Sequence, residues 1–433
     1  MTKINWELIF INNSEFKGYL NSCDIMEMSK LSKLVRLKLK SGLFENITIG
    51  HTIDDFIVNE YSKLNSVPSC NADLSNLSVK EYIPLFRKYI QNIIPYIKRI
   101  NIISGASHYQ LLEVSNQLAR ISILSIYQTR ISLSAFQSAI NKFQYLESLS
   151  IKKTSFIIYK NEKDSVNNIK LPSSLKYLNW SLSKSYIVTL ERDPQLIKYS
   201  YGRTLIEGSY ILIQPEHFSN LVKYSSDLSH PDMDKELASL NPNLVSISLN
   251  IFLLTREKVS ILKSLQSIKK LELSITQVYC DKQFFNFNFP NLTHLCFHYA
   301  ARKNWPILVN VILSSPNLSE FNIGTKSYTN CNIFELINII KKLKKLTIRP
   351  DYTEELDFKD FKSNSNLNYL EIWYRCDINS VLDELAKFTN LNQIAFKSKF
   401  FDKDYLSSIS QENTSNRWRI INTQEFIKYY KLT

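Results

Sequence analysis

Apolar residues return along this chain in one short phrase, apolar-x-x-apolar-x-apolar. Between phrases the apolar spacing lengthens to three and four. The phrase is clearest from Leu244 to Phe396, where it reads Leu244-Ile247-Leu249, Ile268-Leu271-Leu273, Leu292-Leu295-Phe297, Leu318-Phe321-Ile323, Leu343-Leu346-Ile348, Leu367-Leu370-Ile372 and Leu391-Ile394-Phe396. The first positions lie 24, 24, 26, 25, 24 and 24 residues apart. A weaker form appears upstream at Ile97-Ile100-Ile102, Leu118-Ile121-Ile123, Leu146-Leu149-Ile151, Leu175-Leu178-Trp180, Leu196-Tyr199-Tyr201 and Leu221-Tyr224-Ser226. In each phrase the last two apolar positions are two apart, the period of a strand with one face buried. Helical stripes stand between phrases: Leu133, Phe136, Ala139, Ile140 and Phe143; Val259, Leu262 and Leu265; Ile307, Leu308, Val311 and Ile312; Phe334, Ile337 and Ile340; Ile378, Val381, Leu382 and Leu385. The pattern predicts strand, turn, helix, turn, about thirteen times over.

A period near 24 residues with this wording resembles the leucine-rich repeat. The resemblance implies an α/β solenoid of residues 97–400, with a curved parallel β-sheet inside and helices outside. That family places Asn or Cys three positions after the phrase, whereas this chain has Thr154, Ser183, Thr276, Ala300 and Lys326 among others. Uneven turns are expected there. Residues 51–96 read as a connector and cap helix, whose apolar stripe is Tyr82, Ile83, Phe86, Tyr89, Ile90 and Ile93. Residues 401–433 read as a C-terminal cap, with Trp418 and Ile420 in a closing strand and Phe426, Tyr429 and Tyr430 in a closing helix.

Residues 1–50 do not carry the repeat. Trp6, Ile9, Phe10, Phe16, Tyr19 and Leu20 fall at helical spacing. Asp24 can cap a second helix with Ile25, Met28, Leu31, Leu34 and Val35 on one face. Leu43-Phe44 and the alternating Ile47 and Ile49 suggest a strand after it. The run from Asp24 to Arg36 resembles the second half of an F-box, and Leu43-Phe44-Glu45-Asn46-Ile47 resembles what often follows that box. Where the family opens with Leu-Pro, this chain has Asn5-Trp6. With repeats behind it, the chain resembles an F-box/leucine-rich-repeat protein of the ribonuclease-inhibitor-like type. That resemblance implies a substrate-selecting adaptor of an SCF-type ubiquitin ligase. It would bind a Skp-like adaptor through Phe16, Leu20, Ile25, Met28, Leu31 and Leu34.

Composition changes this picture little. Net charge is +13, but the charges are dispersed, the one dense run being Lys341, Lys342, Lys344, Lys345 and Arg349. Gly is scarce at 7 residues, so turns needing positive φ are expected to fall to Asn. The cysteines Cys23, Cys70, Cys280, Cys296, Cys331 and Cys376 form neither C-x-x-C nor a disulfide spacing. No signal peptide or spanning segment is evident. A cytoplasmic or nuclear protein is expected.

The strand phase also predicts a surface. Residues flanking the inward positions face the other way, giving Ser246, Ser248 and Asn250; Lys270, Glu272 and Ser274; His294, Cys296 and His298; Glu320, Asn322 and Gly324; Lys345, Thr347 and Arg349; Tyr369, Glu371 and Trp373; Gln393, Ala395 and Lys397. Most are polar. Of these, His294, His298, Glu320, Lys345, Arg349, Tyr369, Glu371 and Trp373 are the expected partner-binding residues of the concave face. Lys345 and Arg349 are placed to pair with Glu320 or Glu371 across adjacent strands. His294-x-Cys296-x-His298 has ligand-like chemistry: two of the three could share a zinc ion if a neighbouring strand gave a third ligand, and Glu272 and Glu320 are the carboxylates there, although isolated histidines on a polar sheet are common. As a nucleophilic pair, Cys296 and either His are expected to be too extended along one strand. No Gly-rich phosphate loop, G-x-S-x-G or H-E-x-x-H occurs, so neither an enzyme nor a cofactor or metal is expected. A protein target is the expected partner. The alternatives are a scaffold with no ubiquitin link and a basic solenoid on RNA or anionic lipid. Mixed signs argue against the last, since a phosphate-tracking groove needs one sign.

Overall fold

The computed structural model describes residues 44–50, 78–104, 106–118, 120–159, 168–181, 183–188, 205–210, 212–228, 230–301, 303–325, 333–349, 366–373, 378–386, 388–397, 418–422 and 426–432, together with residues 27, 30 and 57. Phe16, Leu20, Ile25, Met28, Leu31 and Leu34 lie outside the described residues, as does the phrase Leu196-Tyr199-Tyr201. The chain forms two units, residues 1–221 and 222–433. Both carry the α/β leucine-rich-repeat architecture, parallel strands alternating with helices.

In the first unit the strands β1 (Asn46–Ile49), β2 (Arg99–Ile102), β3 (Ile123–Tyr127), β5 (Ser148–Lys152) and β8 (Tyr177–Ser181) pair in parallel in that order. The helices between them are α1 (Val79–Gln91), α2 (His108–Gln117) and α3 (Leu133–Ile140). Local sequence starts the first two. Ser78 and Glu81 cap α1 reciprocally, and Ser107 and Gln110 do the same for α2. Tyr82, Phe86 and Ile90 at i, i+4, i+8 form the buried stripe of α1. Arg87 of α1 reaches the nearly buried Glu113 of α2 with two hydrogen bonds, 2.8 and 3.2 Å.

Two sequence expectations fail in this unit. Leu118-Ile121-Ile123 is not the rung: Leu124 and Ile126 are fully buried while Ile123 is half-buried. The run Ile121-Ser122-Ile123-Leu124-Ser125-Ile126 offers two overlapping phrases. Pairing Leu124 beside the core residue Ile100 selects Ile121-Leu124-Ile126. That phrase starts 24 residues after Ile97 and 25 before Leu146. Among the described residues, the repeat after β5 also shows strands where a helix is expected, β6 (Ser155–Tyr159) and β7 (Asn168–Ile169). Further short strands are β4 (Arg130–Ser132), β9 (Lys184–Val188), β10 (Leu205–Tyr210) and β11 (Leu212–Ile213). The order β4-β6-β9-β10 makes a second sheet, and β7 pairs with β11. The β-branched and aromatic run Ser155-Phe156-Ile157-Ile158-Tyr159 suits a strand better than a helix.

In the second unit β12 (Lys223–Ser226), β13 (Ser246–Leu254), β14 (Lys270–Val278), β15 (His294–Ala300), β16 (Glu320–Thr325), β17 (Lys345–Arg349), β18 (Tyr369–Ile372) and β19 (Gln393–Lys397) run parallel, each beside the next. Among the described residues the α-helices are α4 (Pro231–Leu240), α5 (Arg256–Ser264), α6 (Trp305–Leu313), α7 (Ile333–Ile339) and α8 (Ile378–Leu385). Every residue of the seven clear phrases is at most 4% exposed, so the predicted inward set is the core. The tail differs from expectation. Trp418–Asn422 forms β20, but Phe426–Lys431 is a strand, β21, and not a helix. It pairs antiparallel with both β19 and β20. Alternation of Ile427 and Tyr429, both buried, with Phe426 and Lys428 fits the period of two and satisfies the strand edge of β19.

Among the described residues, the positive-φ turns after the strands are not made by Asn. The non-glycine residues with positive φ among the described residues are Gln128, Lys153, Leu228 and Tyr299. All four sit two positions after the last residue of a phrase. The conformation costs about 1–2 kcal/mol per residue, and hydrogen bonds offset it. Gln128 N–H donates to the Lys152 carbonyl and Lys153 N–H to that of Ser181, each at 3.0 Å. The next position takes the role expected of Asn. Thr129 donates to the Ala106 carbonyl at 3.4 Å and Thr154 to that of Lys152 at 3.2 Å. Ala300 cannot do so. Asn304, 2% exposed, instead donates to the carbonyls of Ile275 at 2.8 Å and Tyr299 at 3.0 Å.

Candidate functional site: the open strand face of the second unit

The parallel register aligns the outward residues in three rows. The first runs Lys223, Ser246, Lys270, His294, Glu320, Lys345, Tyr369, Gln393. The second runs Ser225, Ser248, Glu272, Cys296, Asn322, Thr347, Glu371, Ala395. The third brings Asn250 beside Ser274 and Ser274 beside His298, then Gly324 beside Arg349. Trp373 follows, its N–H donating to the Ile348 carbonyl at 2.9 Å. The eight expected surface residues therefore share one face. Most of it is half-buried, with Lys223, Asn250, Lys270 and Lys345 exposed. Residues from Lys223 to Glu371 line a hollow of about 320 Å³ on it.

At the β17–β19 end the face is aromatic and cationic. Glu371 accepts from the Tyr369 hydroxyl at 2.7 Å and from the Trp373 indole N–H. Burial and that carboxylate push the Tyr369 phenol well up. The Arg349 guanidinium lies 3.9 Å from the Trp373 ring centre, and Lys345 Nζ lies 5.0 Å from that of Tyr369. Lys397 Nζ stands 5.0 Å from Trp373 and 4.1 Å from Phe426. Phe426 also meets Trp373 edge-on at 6.4 Å. The expected ladder from Lys345 and Arg349 to Glu320 and Glu371 is thus replaced. The cations rest on rings, Glu371 serves the aromatic donors, and Glu320 pairs with His294 at 2.8 Å. Arg349 Nε and Asn322 Oδ1 are buried without a hydrogen-bond partner. Sequence reasoning placed Lys397 on this face without counting it among the binding residues, and it missed Phe426 and Lys428. Phe426 and Lys428 arrive on β21, opposite Lys397 and Ala395.

Toward the middle, Glu272, Cys296 and His298 converge, contrary to the expectation that strand extension separates them. Cys296 Sγ lies 3.3 Å from His298 Nε2, and the same nitrogen lies 2.8 Å from Glu272 Oε1. Residues two apart on a strand share a face, and the long imidazole leans back over the short thiol. Hydrogen bonds to Cys296 and Glu272 push the His298 imidazole up to about 9 against some opposition from burial. The His298 hydrogen bond in turn holds the Glu272 carboxyl below its ordinary range. Directly after His298 the chain takes positive φ at Tyr299, and the register with β16 shifts between Phe297 and Ala300. Asn304 is the buried side chain that fixes this bulge.

No protein family matches the chain, and no curated protein does. Among solved structures, CroV588, described as a novel circular LRR protein, is similar with 11% identity and a TM-score of 0.29. The match covers 72% of this chain and only 38% of that one. The yeast Rad7 and Elc1 complex matches at 16% identity and a TM-score of 0.34, covering 92% of this chain and 90% of the other. At such scores neither superposes as a whole, and the architecture stands on this chain's own strand register. Among the described residues no helix is long and apolar enough to cross a membrane.

Proposed function

We propose that this chain is a non-enzymatic recognition protein that binds an acidic segment of a protein target along the open strand face of its second unit. The observation that carries this reading is the cluster of Arg349, Lys345 and Lys397 on the rings of Trp373, Tyr369 and Phe426. Trp, Tyr and Arg are the residue types that dominate binding energy, above all where they are partly desolvated before the partner arrives. Among the described residues the carboxylate at that end is Glu371, and aromatic donors engage it. The surface therefore offers positive charge beside flat apolar area, which complements acidic side chains followed by an apolar anchor. The experiment is affinity capture with the full-length protein, identification of the bound protein, and titration of that protein against variants. Trp373→Ala is expected to keep the fold and lose about 2 kcal/mol of binding, roughly 30-fold. Unchanged affinity in both Trp373→Ala and Arg349→Ala would remove the site.

The ubiquitin-ligase part of the reading rests on the F-box resemblance of residues 24–47. In this reading Phe16, Leu20, Ile25, Met28, Leu31 and Leu34 hold a Skp-like adaptor, and the repeats present the target to the ligase. Full-length protein is expected to co-purify with such an adaptor and to lose it on Leu31→Asp. Capture of a target without any adaptor would leave a repeat scaffold with no ubiquitin link. Binding to RNA or anionic vesicles that collapses with salt, and is insensitive to Trp373→Ala, would favour the general basic surface instead.

A further inference from the structure

We propose that Glu272, Cys296 and His298 form a binding site for a divalent transition-metal ion of the zinc type. The inference is independent of protein recognition, because it rests on three side chains at the middle of the face and not on its aromatic end. Glu272 and Cys296 are direct cross-strand neighbours, and His298 follows on the same face of β15. One carboxylate oxygen, one sulfur and one ring nitrogen all lie within 4.8 Å of one another.

Tetrahedral zinc with bonds of 2.0–2.3 Å separates its ligand atoms by about 3.3–3.8 Å. The sulfur–nitrogen distance of 3.3 Å is already at that spacing, and the nitrogen–oxygen distance of 2.8 Å needs a few tenths of an ångström. The donor set also selects the ion. Thiolate with imidazole and one carboxylate suits zinc, whereas calcium and magnesium demand oxygen. The same geometry excludes a relay. A thiol–imidazole–carboxylate relay needs the two ring nitrogens to face different partners. Here one nitrogen faces both, so the three groups point at a common centre. Glu272 also takes a hydrogen bond from Ser248, which aims the carboxylate. Three protein ligands leave a fourth position toward the hollow lined by Glu272 and Cys296, open to water. On binding, Cys296 coordinates as thiolate and His298 as neutral imidazole, and the displaced protons pass to solvent.

The test is titration of tag-free, reduced, full-length protein with cobalt(II) and then zinc(II), followed by absorbance and calorimetry. One equivalent of cobalt is expected to give a thiolate-to-metal charge-transfer band that zinc abolishes. Cys296→Ser should remove the band. His298→Gln and Glu272→Gln should weaken binding about tenfold or more. Cys280→Ser, at the other described cysteine, should leave it unchanged. Absence of a band, or a band that survives Cys296→Ser, overturns the site. Should Cys296→Ser fail to fold by circular dichroism, the near-isosteric Glu272→Gln decides. Metal affinity unchanged in that variant is equally fatal.

Discussion

Asp234 shows what burial does to one carboxyl group. It is 2% exposed, accepts from the Tyr224 hydroxyl through Oδ1, and leaves Oδ2 without a partner. Burial raises its pKa to about 6. Between about pH 4 and 6 the folded chain thus holds a proton that the unfolded chain has released. The stabilisation is fully present below pH 4 and is lost as pH rises through 6, a change of roughly 2–3 kcal/mol. Urea midpoints measured from pH 4 to 8 should therefore move in favour of Asp234→Asn relative to wild type, levelling above pH 7. A constant offset between the two would mean that Asp234 ionises freely in the fold. At this scale the sequence was legible for burial and illegible for convergence. Alternation alone put His294, Glu320, Tyr369 and Trp373 on one face. It could not foresee that rotamers bring Cys296 and His298 together, or that Arg349 settles on Trp373 in preference to Glu371.

Elements were readable where one period dominated. The five helical stripes noted in the sequence are α3, α5, α6, α7 and α8. Reading failed where two periods overlapped. Phe426, Tyr429 and Tyr430 fit i, i+3, i+4, but the alternation Ile427, Tyr429 prevails because the edge of β19 needs a hydrogen-bonding partner. Likewise Ile121 to Ile126 admitted two phases, and the neighbouring strand chose between them. The role of β21 can be tested by Ile427→Asp, which places a charge at a position 1% exposed. The variant is expected to lose roughly 3 kcal/mol or more. It should also elute as oligomers in size-exclusion chromatography, because an unpaired strand edge templates association. A monomer of native stability would show that β21 is dispensable.

Across the whole molecule, regular spacing made the repeat architecture legible, and dispersed charge explained why a net +13 need not mean a nucleic-acid partner. The repeats touch mainly their neighbours, so damage should stay local. Leu271→Ala, at a site 1% exposed in β14, is expected to cost about 2–5 kcal/mol. Its amide exchange should quicken in β13, β14 and β15 and stay unchanged in β2, β3 and β5. Uniform quickening would indicate one cooperative block. What remained hidden at this scale was the break in regularity after β5, where Phe156 stacks on Trp180 at 5.8 Å and the described residues form the strands β6 and β7.

The reversal of direction between β19 and β21 reaches beyond stability. A parallel rung can be followed by a copy of itself, whereas an antiparallel one cannot. Duplication of a repeat can therefore lengthen this array only upstream of Gln393. Because β20 in turn runs antiparallel to β21, the outermost strand points with the rungs again, and the reversal is confined to β21.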